Sequence, residues 1–161
     1  MYSIKWISTL AIVVLMASVN AGGQSVPNGQ LTNAYDAQLA EELGADEYGM
    51  RSYVFVVLKA GPTTITDEAR RREIFAGHFS NMARLSEEGK LVLAGPFIEG
   101  GEKRGLYIFN TATFEDAKAI VQTDPAVAAG VFTPEFTRFY GSAALIKIYE
   151  LHKTIQKTKI G

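Results

Sequence analysis

Ser52-Tyr53-Val54-Phe55-Val56-Val57-Leu58 is a nearly continuous run of β-branched and aromatic residues, the mark of a central strand. Gly61-Pro62 ends it. Downstream, Thr66 is placed to cap a helix, with Asp67 and Glu68 in a first turn that suits the positive end of the helix dipole. From there to Glu88 the apolar positions recur at helical spacing, Ile74, His78, Met82 and Leu85 on one stripe with Phe75 and Phe79 beside it, and Gly89 is the stop. Leu91–Ala94 is a second strand running into Gly95-Pro96, where the proline predicts a bulge or an edge. Glu99-Gly100-Gly101-Glu102 turns the chain into a third strand, Gly105–Asn110. Thr113 and Asp116 then open a second helix in the manner of a capping box. Asp124-Pro125 starts a short helical turn closed by Gly130, and Phe132–Tyr140, with Pro134 near its start, is a fourth strand.

The order is β-α-β-β-α-β. It predicts an α+β domain of the split βαβ, ferredoxin-like kind: an antiparallel four-stranded sheet with both helices on one face. Ala143–Tyr149 is expected to add a fifth, outer strand. The strands are apolar on both faces, so the face without helices needs cover; a homodimer pairing two sheets around a barrel-like interior is the simplest source.

Outside this domain, placed at 50–149, the chain is organised as address, leader and tail. Met1–Ala21 carries Lys5, an apolar core over Ile7–Ala17 and the small pair Val19 and Ala21, the pattern of a signal peptide cleaved after Ala21. That core is shorter than the ~20 residues of a spanning helix. The expectation is a periplasmic or secreted protein with no membrane association once the signal is removed. Residues 22–49 are a flexible leader, Gly22–Thr32, followed by a short helix over Ala34–Leu43 capped by Asn33, with Tyr35, Leu39 and Leu43 as its stripe. Glu150–Gly161 is a polar tail expected to fray.

With 161 residues, 47% of them hydrophobic and 20% charged, the chain supports one globular domain. Its 16 basic and 17 acidic residues leave no basic footprint for nucleic acid. Cysteine is absent, which removes disulfides, thiolate metal sites and a cysteine nucleophile. Two histidines, His78 and His152, are too few for a multi-histidine metal centre in one chain. Gly-rich phosphate loops, a Gly-x-Ser-x-Gly elbow and His-Glu-x-x-His are all missing from the sequence.

His78 stands out because it falls on the apolar stripe of the long helix, where an imidazole costs stability unless its ring nitrogens are accounted for. It is either a core histidine bonded to a backbone carbonyl or a site residue. Asp124 is either an ordinary N-cap before Pro125 or the partner of that histidine. The fold brings both to one side of the sheet. An aspartate holding one ring nitrogen fixes the tautomer and leaves the other nitrogen as a general base. Gly95 and Pro96 permit close backbone approach to a ligand, and Phe97, Tyr107 and Phe132 are expected to line a cavity for a small molecule. Of Arg70-Arg71-Arg72, at most one side chain faces a pocket, because consecutive helical residues diverge. Arg104 fits either a hairpin surface or that pocket, and His152 belongs to the tail.

The runs His78-Phe79-Ser80-Asn81-Met82-Ala83-Arg84-Leu85, Glu88-Gly89-Lys90-Leu91, Ala94-Gly95-Pro96 and Thr123-Asp124-Pro125-Ala126-Val127-Ala128-Ala129-Gly130-Val131 resemble the YciI-like (YCII-related) family over about Tyr53 to Leu145. The resemblance implies a dimeric α+β barrel with a His–Asp dyad, here His78 and Asp124, in a pocket. One branch of the family is similar to lyases that remove chloride from chlorinated hydroxyquinones; the wider fold includes muconolactone isomerases, metal-free monooxygenases and haem proteins. Fold does not choose among these. The chain departs from the commoner pattern in carrying Phe75 three residues before the histidine, where an arginine is frequent, and in carrying an export signal. Three expectations follow: a small enzyme without cofactor or metal, performing lyase- or isomerase-type proton transfer on a cyclic or aromatic compound; a non-catalytic ligand-binding or structural homodimer of the envelope; or a protein using His78 as a single axial haem ligand.

Overall fold

The computed structural model describes residues 34–158, so the signal-like segment, the Gly22–Thr32 leader and the Asn33 cap lie outside the described residues. The elements are α1 (Ala37–Glu42), β1 (Met50–Ala60), α2 (Glu68–Glu87), β2 (Leu91–Pro96), β3 (Lys103–Phe109), α3 (Phe114–Val121), α4 (Pro125–Ala128), β4 (Phe132–Ser142), a 3-10 turn (Ala143–Lys147) and α5 (Ile148–Ile155). The four strands form one antiparallel sheet in the order β2-β3-β1-β4. β1 and β2, joined by α2, are parallel strands with β3 between them, which is the split βαβ arrangement. The fold is ferredoxin-like α+β.

The alternation of β1 divides its apolar run between two cores. Val54, Val56 and Leu58 pack with Tyr107 and Phe109 of β3 against Leu85 of α2, Ala117 and Val121 of α3, and Val127 of α4. Each such side chain, fully buried, contributes on the order of 1.5–3 kcal/mol from removed apolar surface. On the other face Tyr53 gathers with Val92 and Ile108, flanked by Phe55, Leu93 and Leu106. Leu145 and Ile146 pack on this second cluster.

That last contact corrects the expectation of a fifth strand. Ser142 Oγ accepts from the Ala144 N–H and turns the chain off β4, and Ala143–Lys147 becomes a 3-10 turn continuing into α5. Extending the sheet would have satisfied an edge; crossing its face instead covers two apolar side chains, and burial decides. The tail is accordingly helical as far as Ile155, with His152 exposed on it.

Smaller departures have similarly local causes. Asp67, not Thr66, caps α2, its carboxylate accepting from the Arg70 N–H at 2.6 Å. Asp36 caps an α1 shorter than its sequence pattern, and of Tyr35, Leu39 and Leu43 only Leu43 is buried. The β2 register shift falls between Leu91 and Leu93, so Gly95-Pro96 is an edge and not a bulge. Gly89, at φ 67°, matches the sequence pattern, and so does the Thr113 cap on α3, whose hydroxyl accepts the Asp116 N–H; the Thr113 N–H goes to Thr111 Oγ1 and not to Asp116, so the capping box is half formed.

Candidate functional site

α2 places His78 against the sheet, and the N-terminus of α4 brings Asp124 to meet it. Two glycine positions make that approach possible. Gly77 has no Cβ where one would stand 2.9 Å from the Pro125 ring, so α2 and α4 close together at the residues adjoining His78 and Asp124. At the far end of α4, Gly130 takes φ 71°, and its carbonyl oxygen sits where a Cβ on Gly61 would fall. Asn81, buried on α2, adds a polar staple: its Oδ1 accepts from Thr123 Oγ1 at 3.0 Å and from Arg84 at 2.7 Å, fixing the loop ahead of Asp124.

His78 Nδ1 lies 2.9 Å and 2.8 Å from the two carboxylate oxygens of Asp124. A carboxylate accepts, so Nδ1 carries the proton and donates it, leaving the lone pair on Nε2. Asp124 Oδ1 also accepts the Ala126 N–H at 2.9 Å, and Oδ2 accepts the Tyr107 hydroxyl at 2.8 Å. Asp124 is thus both a helix cap and the histidine's partner. Its side chain is fully buried, and every oxygen is occupied. Burial, then the charge and hydrogen bond of Asp124, push the Tyr107 phenol far above its ordinary range, so it stays an O–H donor.

Aromatic rings set the plane of the imidazole. Phe75 and Phe79 meet it edge-on with centroids at 6.0 Å and 5.4 Å, Phe132 stands at 5.5 Å, and Tyr107 stacks at 6.3 Å. His78 has 7% of its surface exposed, and that surface opens into a cleft of about 900 Å³. Nε2 has no hydrogen-bond partner among the described residues. The volume lies within the range of small-molecule sites.

The structure brings His78, Gly95, Pro96, Phe97, Tyr107 and Phe132 together on this cleft. Asp124 stands behind the imidazole and does not line it, which makes it a positioning residue. A Cβ on Gly95 would meet nothing within 4 Å, so that glycine leaves open space on the wall and avoids no clash. Of the three successive arginines only Arg71 reaches the cleft; Arg104 lines it too. The hydroxyl role of Tyr107 and the staple at Asn81 escaped the sequence reading. Tyr107 is expected from the sequence only as an aromatic cavity wall, and its distance from Asp124 in the chain hides the bond its hydroxyl makes. Among the described residues no three His, Asp or Glu side chains converge as a metal site would require.

Comparison with solved structures finds a likeness to 5-chloro-2-hydroxyhydroquinone dehydrochlorinase from Burkholderia phenoliruptrix AC1100, in complex with 2,5-dihydroxybenzoquinone. It is 17% identical, with a TM-score of 0.38, covering 53% of this chain and 90% of that one. Among curated proteins, the uncharacterized protein YjpA of Bacillus subtilis (strain 168) is 34% identical over 67 residues, which is 42% of this chain and 76% of YjpA. The model of the YCII-related domain matches residues 53–135, a span running from the first buried residue of β1 through α2, Asp124 and into β4, and the chain therefore belongs to the YCII-related domain family.

Proposed function

We propose that this chain is an exported, cofactor-free enzyme that moves a proton on a small cyclic or aromatic compound, with His78 as the catalytic acid–base and Asp124 positioning it. The observation that carries this reading is a single one: the imidazole is held at Nδ1 by both oxygens of a buried carboxylate, while its free edge meets a cleft large enough for such a ligand. Nε2 takes a proton from a C–H or O–H beside a carbonyl, and the imidazolium is stabilised by Asp124. The freed electron pair forms a new π bond. In a lyase a leaving group then departs with its bonding electrons; in an isomerase the proton returns to a different carbon.

The test follows exchange of acidic ring-adjacent protons by NMR in deuterated buffer, across a panel of cyclic hydroxy and keto compounds. Wild-type protein is expected to accelerate exchange for a subset. His78→Gln should lose about 10²–10⁴-fold, the usual reach of a general base. Asp124→Asn keeps the cap but offers Nδ1 a donor, and should lose on the order of 10³–10⁴-fold by reversing the tautomer. Full exchange by His78→Gln would remove the mechanism. Removal of the signal segment, giving a mature chain that begins at Gly22, is checked by intact mass of the exported protein.

The envelope-scaffold reading makes the opposite prediction at one position. There the dyad is a buried polar pair only: His78→Gln should exchange ring-adjacent protons no differently from wild type, both at the uncatalysed rate, and His78→Leu should cost stability by leaving buried Asp124 a donor short.

A further inference from the structure

The cleft carries a charge pattern that the acid–base pair does not use. Its lining includes two guanidinium groups, Arg71 and Arg104, and no aspartate or glutamate. Neither arginine makes a side-chain hydrogen bond or ion pair among the described residues, whereas the neighbours of Arg71 are both engaged: Arg70 pairs with Glu73 at 2.6 Å and Arg72 with Glu68 at 3.5 Å. Of the acids on the adjoining hairpin, Glu102 is turned to Lys59 at 3.3 Å, and neither it nor Glu99 lines the cleft.

The two arginines come from opposite walls at the same end of the sheet. Arg71 lies in the first turns of α2, which follows β1. Arg104 lies at the start of β3, where Leu58 pairs with Gly105 but Lys59 pairs with Lys103. That slip leaves Arg104 opposite no residue of β1. A bulge of this kind breaks strand alternation and re-aims a side chain. Arg71, Phe75 and His78 share one helix face, and the seven residues from Arg71 to His78 span about 10 Å along the axis. On the other wall, Arg104 precedes Tyr107 by three residues, again about 10 Å of strand. Arg71 and Arg104 thus start from backbone positions about 10 Å outward from His78 and Tyr107 along their elements, and Phe75, Phe132 and Phe97 line the same cleft with apolar surface.

We infer that Arg71 and Arg104 form an anion clamp at the mouth of the cleft, and that the ligand is a ring compound bearing a carboxylate on the side away from His78. This rests on the acid–base reading only for what His78 does to the opposite side of the ring; the clamp itself stands on the arginines. Paired guanidiniums recognise a carboxylate by charge-assisted hydrogen bonds, and a neutral amide of the same shape cannot replace it.

The experiment titrates the full mature chain with benzoate and 4-hydroxybenzoate and with their amides, benzamide and 4-hydroxybenzamide, following amide chemical shifts by NMR. Each carboxylate should bind about tenfold or more tightly than its amide, and the preference should narrow as salt is raised. Arg71→Gln and Arg104→Gln should each erase most of that preference with amide affinity unchanged. Arg72→Gln, the paired neighbour, should leave it intact. Equal binding of acid and amide, binding of neither, or a loss in Arg72→Gln as large as in the other two overturns the clamp. If the preference depends on Arg71 and Arg104 while proton exchange ignores His78, the clamp holds and the acid–base reading falls; the converse result separates them the other way.

Discussion

Tyr107 is the residue whose meaning changes most between chain and fold. Its hydroxyl is the third donor to Asp124, and burial with the adjacent carboxylate raises its pKa well above the ordinary 10.0. In the unfolded chain the phenol ionises near that ordinary value. A group whose folded pKa is raised contributes stability that is fully present below the unfolded value and is lost as pH climbs toward the folded one. The contribution of Tyr107 is therefore complete up to about pH 10 and drains away as pH rises above it. Two outcomes follow for Tyr107→Phe. Its native-state tyrosinate absorbance should titrate like wild type until alkaline unfolding, since Tyr107 adds no signal while folded. Its stability at neutral pH should fall by about 1–3 kcal/mol, the cost of leaving a buried carboxylate one donor short. A lost early-titrating component, or unchanged stability, would contradict the network.

Among the elements, α4 matters most for its size. It is one turn long, cannot hold itself together, and is positioned by what touches it. Asp124 caps its start, Gly130 ends it, and the bare Cα of Gly77 admits Pro125. A methyl group at Gly77 gains helix propensity of about 1 kcal/mol but collides with a rigid ring. Gly77→Ala is thus expected to destabilise by about 1–3 kcal/mol net of that gain, and to displace Asp124 from His78. Denaturant unfolding reads the first effect, and the hydrogen-bonded Nδ1 proton of His78, observed by NMR, reads the second. A more stable protein with that proton unchanged would show the contact to be soft. The C-terminal segment teaches a related point. Ala143–Tyr149 has the composition of a strand, yet Leu145 and Ile146 are drawn onto the Tyr53 cluster as turn and helix because an apolar sheet face offers more burial than a sheet edge does.

For the molecule as a whole, that capping is incomplete. Phe139 meets Tyr53 and Phe55 at 6.2 Å and 6.4 Å on the sheet face opposite α2 and α3 and remains 36% exposed, and Leu151 and Ile155 of α5, one turn apart, are 65% and 74% exposed. We propose that a second copy covers this face, giving the paired-sheet barrel. Sedimentation velocity should find wild-type dimers, with Phe139→Asp shifting them to monomers at the same concentration while the circular dichroism of the fold is kept. A wild-type monomer, or a Phe139→Asp dimer of unchanged affinity, would exclude that surface.

Periodicity and punctuation in the chain determined the order of strands and helices, the two-faced character of β1, the stripe carrying His78 and the turn carrying Asp124, because these depend on neighbours within a few residues. The pairing of the two was an expectation from the fold order, and the family runs implied the same dyad. Which of the successive arginines faces the cleft, the donation from Tyr107, the staple at Asn81 and the fate of Ala143–Tyr149 were decided only in three dimensions. Each is a contact between segments distant along the chain, and each was settled by competition: a side chain goes to the partner or the apolar surface that lowers free energy most, and that choice has no local signature.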